Sequence, residues 1–198
     1  MVPDSRIAVT LLPWALAAWL VAEACWDTCK EQDIPRWFST IPILAGVLYS
    51  CSQGYVWLGV GFLLSVAFTN LSMGFARLLL VTPTIILAES LYRPYGLPLV
   101  FGWMLAWFAW ETGVLGGADA LAVGYSLLWF PQSAMFYALL LGMAGWSAAW
   151  LWKKYGRGIS LRLWTTVANR TGGTTVPGLG GIAAGALAFA AAKTLRLV

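Results

Sequence analysis

The stretch LGGADALAVG, residues 115–124, is an apolar run interrupted by two glycines and a single aspartate. It reads as a helix entered through a Gly-Gly turn, with Asp119 in the first helical turn, where an acid meets the macrodipole favourably. A carboxylate among residues this apolar costs a few kcal/mol to place. Asp119 is therefore a candidate functional residue, and its significance depends on whether a second acid reaches it.

The rest of the chain is equally oily. Of 198 residues, 60% are hydrophobic and 10% charged, with a mean hydropathy of +0.76. Ordinary globular chains carry about a quarter charged residues, so the excess apolar residues point to an integral membrane protein. The apolar runs are continuous rather than alternating, which favours helices over a barrel. Runs at 7–26, 37–52, 55–72, 76–92 (with Pro83 inside), 96–115, 118–130, 133–152 and 176–195 are each taken as a helix able to cross about 30 Å of hydrocarbon. The expected fold is all-α and polytopic: a bundle of about eight transmembrane helices (six to eight), forming one membrane-embedded domain over residues 1–198.

Charge gives the orientation. The net charge of +4 comes mainly from KKYGRGISLRLWTTVANR, residues 153–170, which holds Lys153, Lys154, Arg157, Arg162 and Arg170. Following an apolar run, it reads as a cytoplasmic loop beside anionic lipid and not as a nucleic-acid patch. Both termini are then extracytoplasmic, and the turns bearing Asp27 and Asp119 share the cytoplasmic face. The expected location is the cytoplasmic membrane, multi-pass, with membrane lipids as partners. Most of the thirteen tryptophans lie near run ends and are expected to anchor at headgroup level.

The chain has no histidine and three cysteines, Cys25, Cys29 and Cys51. Two thiols without histidine make a poor zinc site, and a Cys–His nucleophile is excluded. The cysteines are expected to be small buried side chains, and no metal site is expected.

The eight acids are Asp4, Glu23, Asp27, Glu31, Asp33, Glu89, Glu111 and Asp119. Asp4, Glu31 and Asp33 fall in terminal or loop segments, and Glu89 has Arg93 four residues on as an ion-pair partner. Glu23, Asp27, Glu111 and Asp119 remain. Two carboxylates from separate helices, close together in a partly dry site, share a proton. Aspartic proteases use that arrangement, one carboxylate drawing a proton from water while its protonated partner polarises the scissile carbonyl. No metal, cofactor or covalent intermediate is required. Gly116 and Gly117, lacking Cβ atoms, are expected to let the turn take unusual dihedrals, to admit water to Asp119 and to let a substrate strand pass close.

Three segments resemble the GxGD-type membrane aspartyl peptidases that process type IV prepilins and archaeal preflagellins: DTCKEQDIPRW at 27–37, GGADALAVGYSLLWFP at 116–131 and VPGLGGIAAGALA at 176–188. The resemblance implies that Asp27 and Asp119 are the catalytic pair and that Gly116, Gly117 and Ala118 form the active-site turn. Asp33 is the fallback for Asp27, and Glu23, Asp33 and Glu111 are candidate supporting acids. It further implies a cofactor-free endopeptidase removing leaders from pilin-like or flagellin-like precursors. The bifunctional members' cysteine-motif insert is missing, so no methyltransferase activity is expected. Leu121 stands where the family carries lysine, and the step from Asp27 to the Ile-Pro element is one residue longer. The alternative is a non-catalytic membrane protein, either a proton or cation transporter or a pilus-assembly scaffold.

Overall fold

The structure, a computed structural model, describes residues 5–29, 34–68, 97–155 and 178–198. These residues form seven helices: α1 (Ser5–Cys29), α2 (Arg36–Ser52), α3 (Val56–Phe68), α4 (Leu97–Glu111), α5 (Gly117–Trp129), α6 (Ser133–Tyr155) and α7 (Gly178–Thr194). The apolar run at 76–92 with Pro83, the Glu89–Arg93 pair, Asp33 and most of the basic segment 153–170 lie outside the described residues.

The all-α class and most helix limits follow the apolar runs, but the membrane-spanning reading does not hold. Among the described residues, no helix is long and apolar enough to cross a membrane. Two causes are visible. Helices α3 and α5 have 13 residues, α4 has 15, and α2 and α7 have 17, so they extend about 20 to 26 Å, short of the roughly 30 Å required. Helices α1 and α6, with 25 and 23 residues, are long enough. However, the described part of neither is apolar enough to count as a span. The polytopic bundle of about eight spans, the extracytoplasmic termini and the multi-pass location are corrected accordingly. An apolar run shows that a helix has an oily surface, not that it spans a bilayer.

Helix α5 is central and packs against α2, α3, α4, α6 and α7. Its residues Ala120, Ala122, Val123, Gly124, Tyr125, Ser126, Leu127 and Leu128 are all buried, as expected of a helix that is apolar on every side. At Gly124 a Cβ would lie 2.7 Å from a Phe62 ring carbon, because Phe62 and Trp103 close over this position with ring centroids 4.9 Å apart. Helix α7 packs mainly on α6 and α1. There the two backbones nearly touch, a Cβ on Gly181 falling 2.7 Å from Met143 Cα.

Two tryptophans build the interior, while Trp14, Trp37, Trp57, Trp146 and Trp152 lie exposed on the surface. Trp103 and Trp107 are fully buried, and the Trp103 indole N–H donates to Ser65 at 2.8 Å. In α2, Pro42 lacks the N–H that would bond the Phe38 carbonyl. Trp19 Nε1 from α1 donates to that carbonyl at 2.9 Å, and Trp129 Nε1 from α5 donates to the Pro42 carbonyl at 2.8 Å. The cysteines also differ from expectation, since Cys25 and Cys29 are exposed and Cys51 half-buried. The surplus apolar residues lie outside the core: Leu48 on α2, Phe101 on α4 and Leu141 on α6 are 71%, 63% and 73% exposed.

Candidate functional site

The turn from α4 to α5 places Asp119. Helix α4 ends at Glu111, and the left-handed residue that reverses the chain is Gly113, with φ +70°; Val114 N–H closes the end onto the Ala109 carbonyl at 2.7 Å. Gly116 caps α5 with φ −70° and ψ 158°, ordinary extended backbone open to any residue, and Gly117 is helical. The expected unusual dihedrals thus belong to Gly113 and not to Gly116 or Gly117. With Gly116 at the cap, Asp119 is the third helical residue, and its Oδ2 accepts the Gly116 N–H at 3.2 Å. This reciprocal bond is half of a capping box.

Asp119 is 7% exposed, so the glycines do not open it to water. Backbone N–H groups of Gly178 and Leu179, at the start of α7, also donate toward its carboxyl. A Cβ on Gly178 would stand 2.8 Å from Asp119 Cγ, which is why a glycine begins α7. Burial pushes the Asp119 carboxyl up to about 6; the charge of Asp27 adds to the rise, and the three N–H groups oppose it.

Glu23 is completely buried on α1, where burial would normally be prohibitive for an unpaired charge. Its carboxyl is met by two donors, the Tyr125 hydroxyl from α5 and the Ser39 hydroxyl from α2, the latter at 3.2 Å. Burial raises the Glu23 carboxyl above its ordinary range; the two hydroxyls lower it, and the charges of Asp119 and Asp27 raise it further. Tyr125 is itself raised well above the ordinary phenol, by burial first and then by Glu23, so the hydroxyl keeps its proton and donates. Asp27, one turn beyond Glu23, is half-buried, and burial raises it too.

The structure therefore gathers Glu23 and Asp27 from α1 with Asp119 from α5 into one electrostatically coupled group. Ala118, the second residue of α5, is half-buried. Glu111 stands apart at the end of α4, accepting the Trp107 indole N–H at 3.1 Å. Asp33 lies outside the described residues. Sequence reasoning missed Tyr125, Ser39 and the α7 N-terminal N–H groups, since nothing in local spacing pairs residues 102 positions apart.

This arrangement differs from an aspartic-protease pair. The Asp119 carboxyl is directed at the backbone N–H groups of Gly116, Gly178 and Leu179. The coupling between the two is charge acting through space. No cofactor cluster accompanies them: among the described residues, no group of three or more acids and cysteines is placed to hold a metal ion. The cavity of about 230 Å³ is lined by neither aspartate. The peptidase activity and the protease vocabulary are corrected on these grounds.

Compared with protein-family models, curated proteins and solved structures, the chain matches none. The resemblance to the GxGD peptidases is thereby corrected: short motifs matched the family's pattern, but the chain as a whole does not. The pilin-like and flagellin-like precursors follow from that resemblance alone.

Proposed function

We propose that this protein is a proton-binding helical protein, in which Asp119, Glu23 and Asp27 form an acid cluster that takes up and releases a proton near neutral pH. The observation that carries this reading is Asp119, a carboxyl 7% exposed and held at about 6. Among the described residues, no lysine or arginine contributes to the electrostatics of the three acids. Protonation relieves their mutual repulsion in a low-dielectric setting.

The consequence is mechanical as well as electrostatic. Deprotonated Asp119 leans on the N–H groups of Gly116, Gly178 and Leu179, drawing the start of α7 toward the start of α5. Neutral Asp119 accepts those bonds less strongly and no longer repels Asp27 or Glu23. Protonation thus shifts how α1, α5 and α7 meet, while the hydroxyls of Tyr125 and Ser39 hold Glu23 in either state. Lipid acyl chains are a proposed partner for the exposed apolar side chains, Leu48, Phe101 and Leu141 among them.

Infrared difference spectroscopy tests the proposal. Titrating the protein through about pH 6 should reveal a protonated carboxyl C=O band that disappears on going alkaline and is missing from Asp119→Asn. A band of unchanged midpoint and intensity in Asp119→Asn would refute the assignment.

A further inference from the structure

Helices α4, α5 and α6, with the start of α7, surround a cavity of about 230 Å³. Ala106 and Ala109 from α4, Val123 from α5, and Phe136, Leu139 and Met143 from α6 supply its walls. Leu105 and Leu140 also line it and are 52% and 36% exposed, so the mouth is as apolar as the interior. Among the described residues, no charged side chain lines it, and Ser147 provides the only side-chain hydroxyl.

A void of this size is unusual in a close-packed interior. Water is a poor occupant, because a buried water needs two to four polar partners, and an apolar cavity of about 150 Å³ stays dry yet admits benzene. The described lining offers an ion no countercharge, and the volume excludes a folded partner. What fits is hydrocarbon. At roughly 30 Å³ for each water-sized group, the space holds about seven or eight non-hydrogen atoms.

We propose that this cavity binds a single hydrocarbon chain or ring of about seven or eight non-hydrogen atoms, entered between Leu105 and Leu140, with any polar end left at the rim where Ser147 is half-exposed. The hydrocarbon has two possible sources, a free medium-chain alcohol or the acyl tail of a phospholipid. The site stands on lining chemistry and volume, independently of the acid cluster.

Calorimetric titration of the full chain with butanol, hexanol, octanol and decanol tests this. Affinity should rise about fourfold for each added methylene and level off near octanol, where the cavity is full. Ala109→Phe and Ser147→Phe, at half-buried lining positions, should each weaken octanol binding at least about tenfold, the loss of two to three methylenes. Leu64→Ser, on the exposed side of α3 and away from the cavity lining, should leave it unchanged. Competition by diheptanoylphosphatidylcholine below its micelle concentration assigns the site to acyl tails; failure to compete assigns it to free hydrocarbon. An affinity still climbing from octanol to decanol, or octanol binding equal in parent and both lining variants, overturns the proposal in favour of surface partitioning. The chain-length limit reads the cavity without any substitution, so the test survives a variant that fails to fold.

Discussion

Replacing Asp119 with asparagine isolates the energetic consequence of the buried acid. The folded carboxyl sits at about 6 against an ordinary value of 3.8. At about 1.4 kcal/mol for each tenfold change in proton affinity, that difference amounts to about 3 kcal/mol. The sign follows from which state holds the proton more tightly. Below about pH 4 both folded and unfolded chains are protonated at this position, and its full contribution to stability is present. As pH rises toward 6 the unfolded chain releases its proton first, so stability falls by about 3 kcal/mol and then levels off. Urea denaturation followed by tryptophan fluorescence, at about pH 4, 5, 6 and 7, should show the parent losing stability across this window. Asp119→Asn has no proton to release and keeps the Oδ acceptor for Gly116. Its stability should fall much less, the remaining slope coming from Glu23 and Asp27, which are raised in the same direction. A variant with the parent's full slope would show that Asp119 is not the buried, proton-holding group described above.

Tyr125→Phe removes the stronger donor to Glu23 and leaves Ser39 alone, so urea midpoints at neutral pH should correspond to a loss of about 1–3 kcal/mol. Glu23→Gln keeps an acceptor oxygen for one of the two hydroxyls and should cost less than Glu23→Ala, which strands two buried donors and opens a cavity; the same unfolding assay ranks them. Gly178→Ala forces a Cβ to 2.8 Å from Asp119 Cγ, whereas a Cβ on Gly117 meets Trp110 Nε1 at an ordinary 3.4 Å. Gly178→Ala should therefore destabilise by about 1–3 kcal/mol, while Gly117→Ala, at a helical position, should be neutral or stabilising by up to about 1 kcal/mol. Maleimide labelling under native conditions should modify the exposed Cys25 and Cys29 before Cys51, and equal rates for all three would contradict the packing of α2.

The sequence by itself determined the helical class and the approximate position of each described helix, because apolar runs and their Gly, Pro and polar breaks are local signals. It also singled out Asp119, Asp27 and Glu23, because a carboxylate in an oily helix is conspicuous at any distance. Local signals could not say what those acids meet. Only the tertiary structure turned the Asp119 carboxyl onto the N–H groups of Gly116, Gly178 and Leu179, closed Tyr125 and Ser39 over Glu23, and moved the left-handed turn to Gly113. Run length misled where it was converted into bilayer thickness, since helices of 13 to 17 residues bury their oily faces against one another without spanning anything. Pattern along the chain fixes which residues are helical and apolar; the proton affinity of a buried acid is set by neighbours brought in from other helices, and those exist only after the helices have packed.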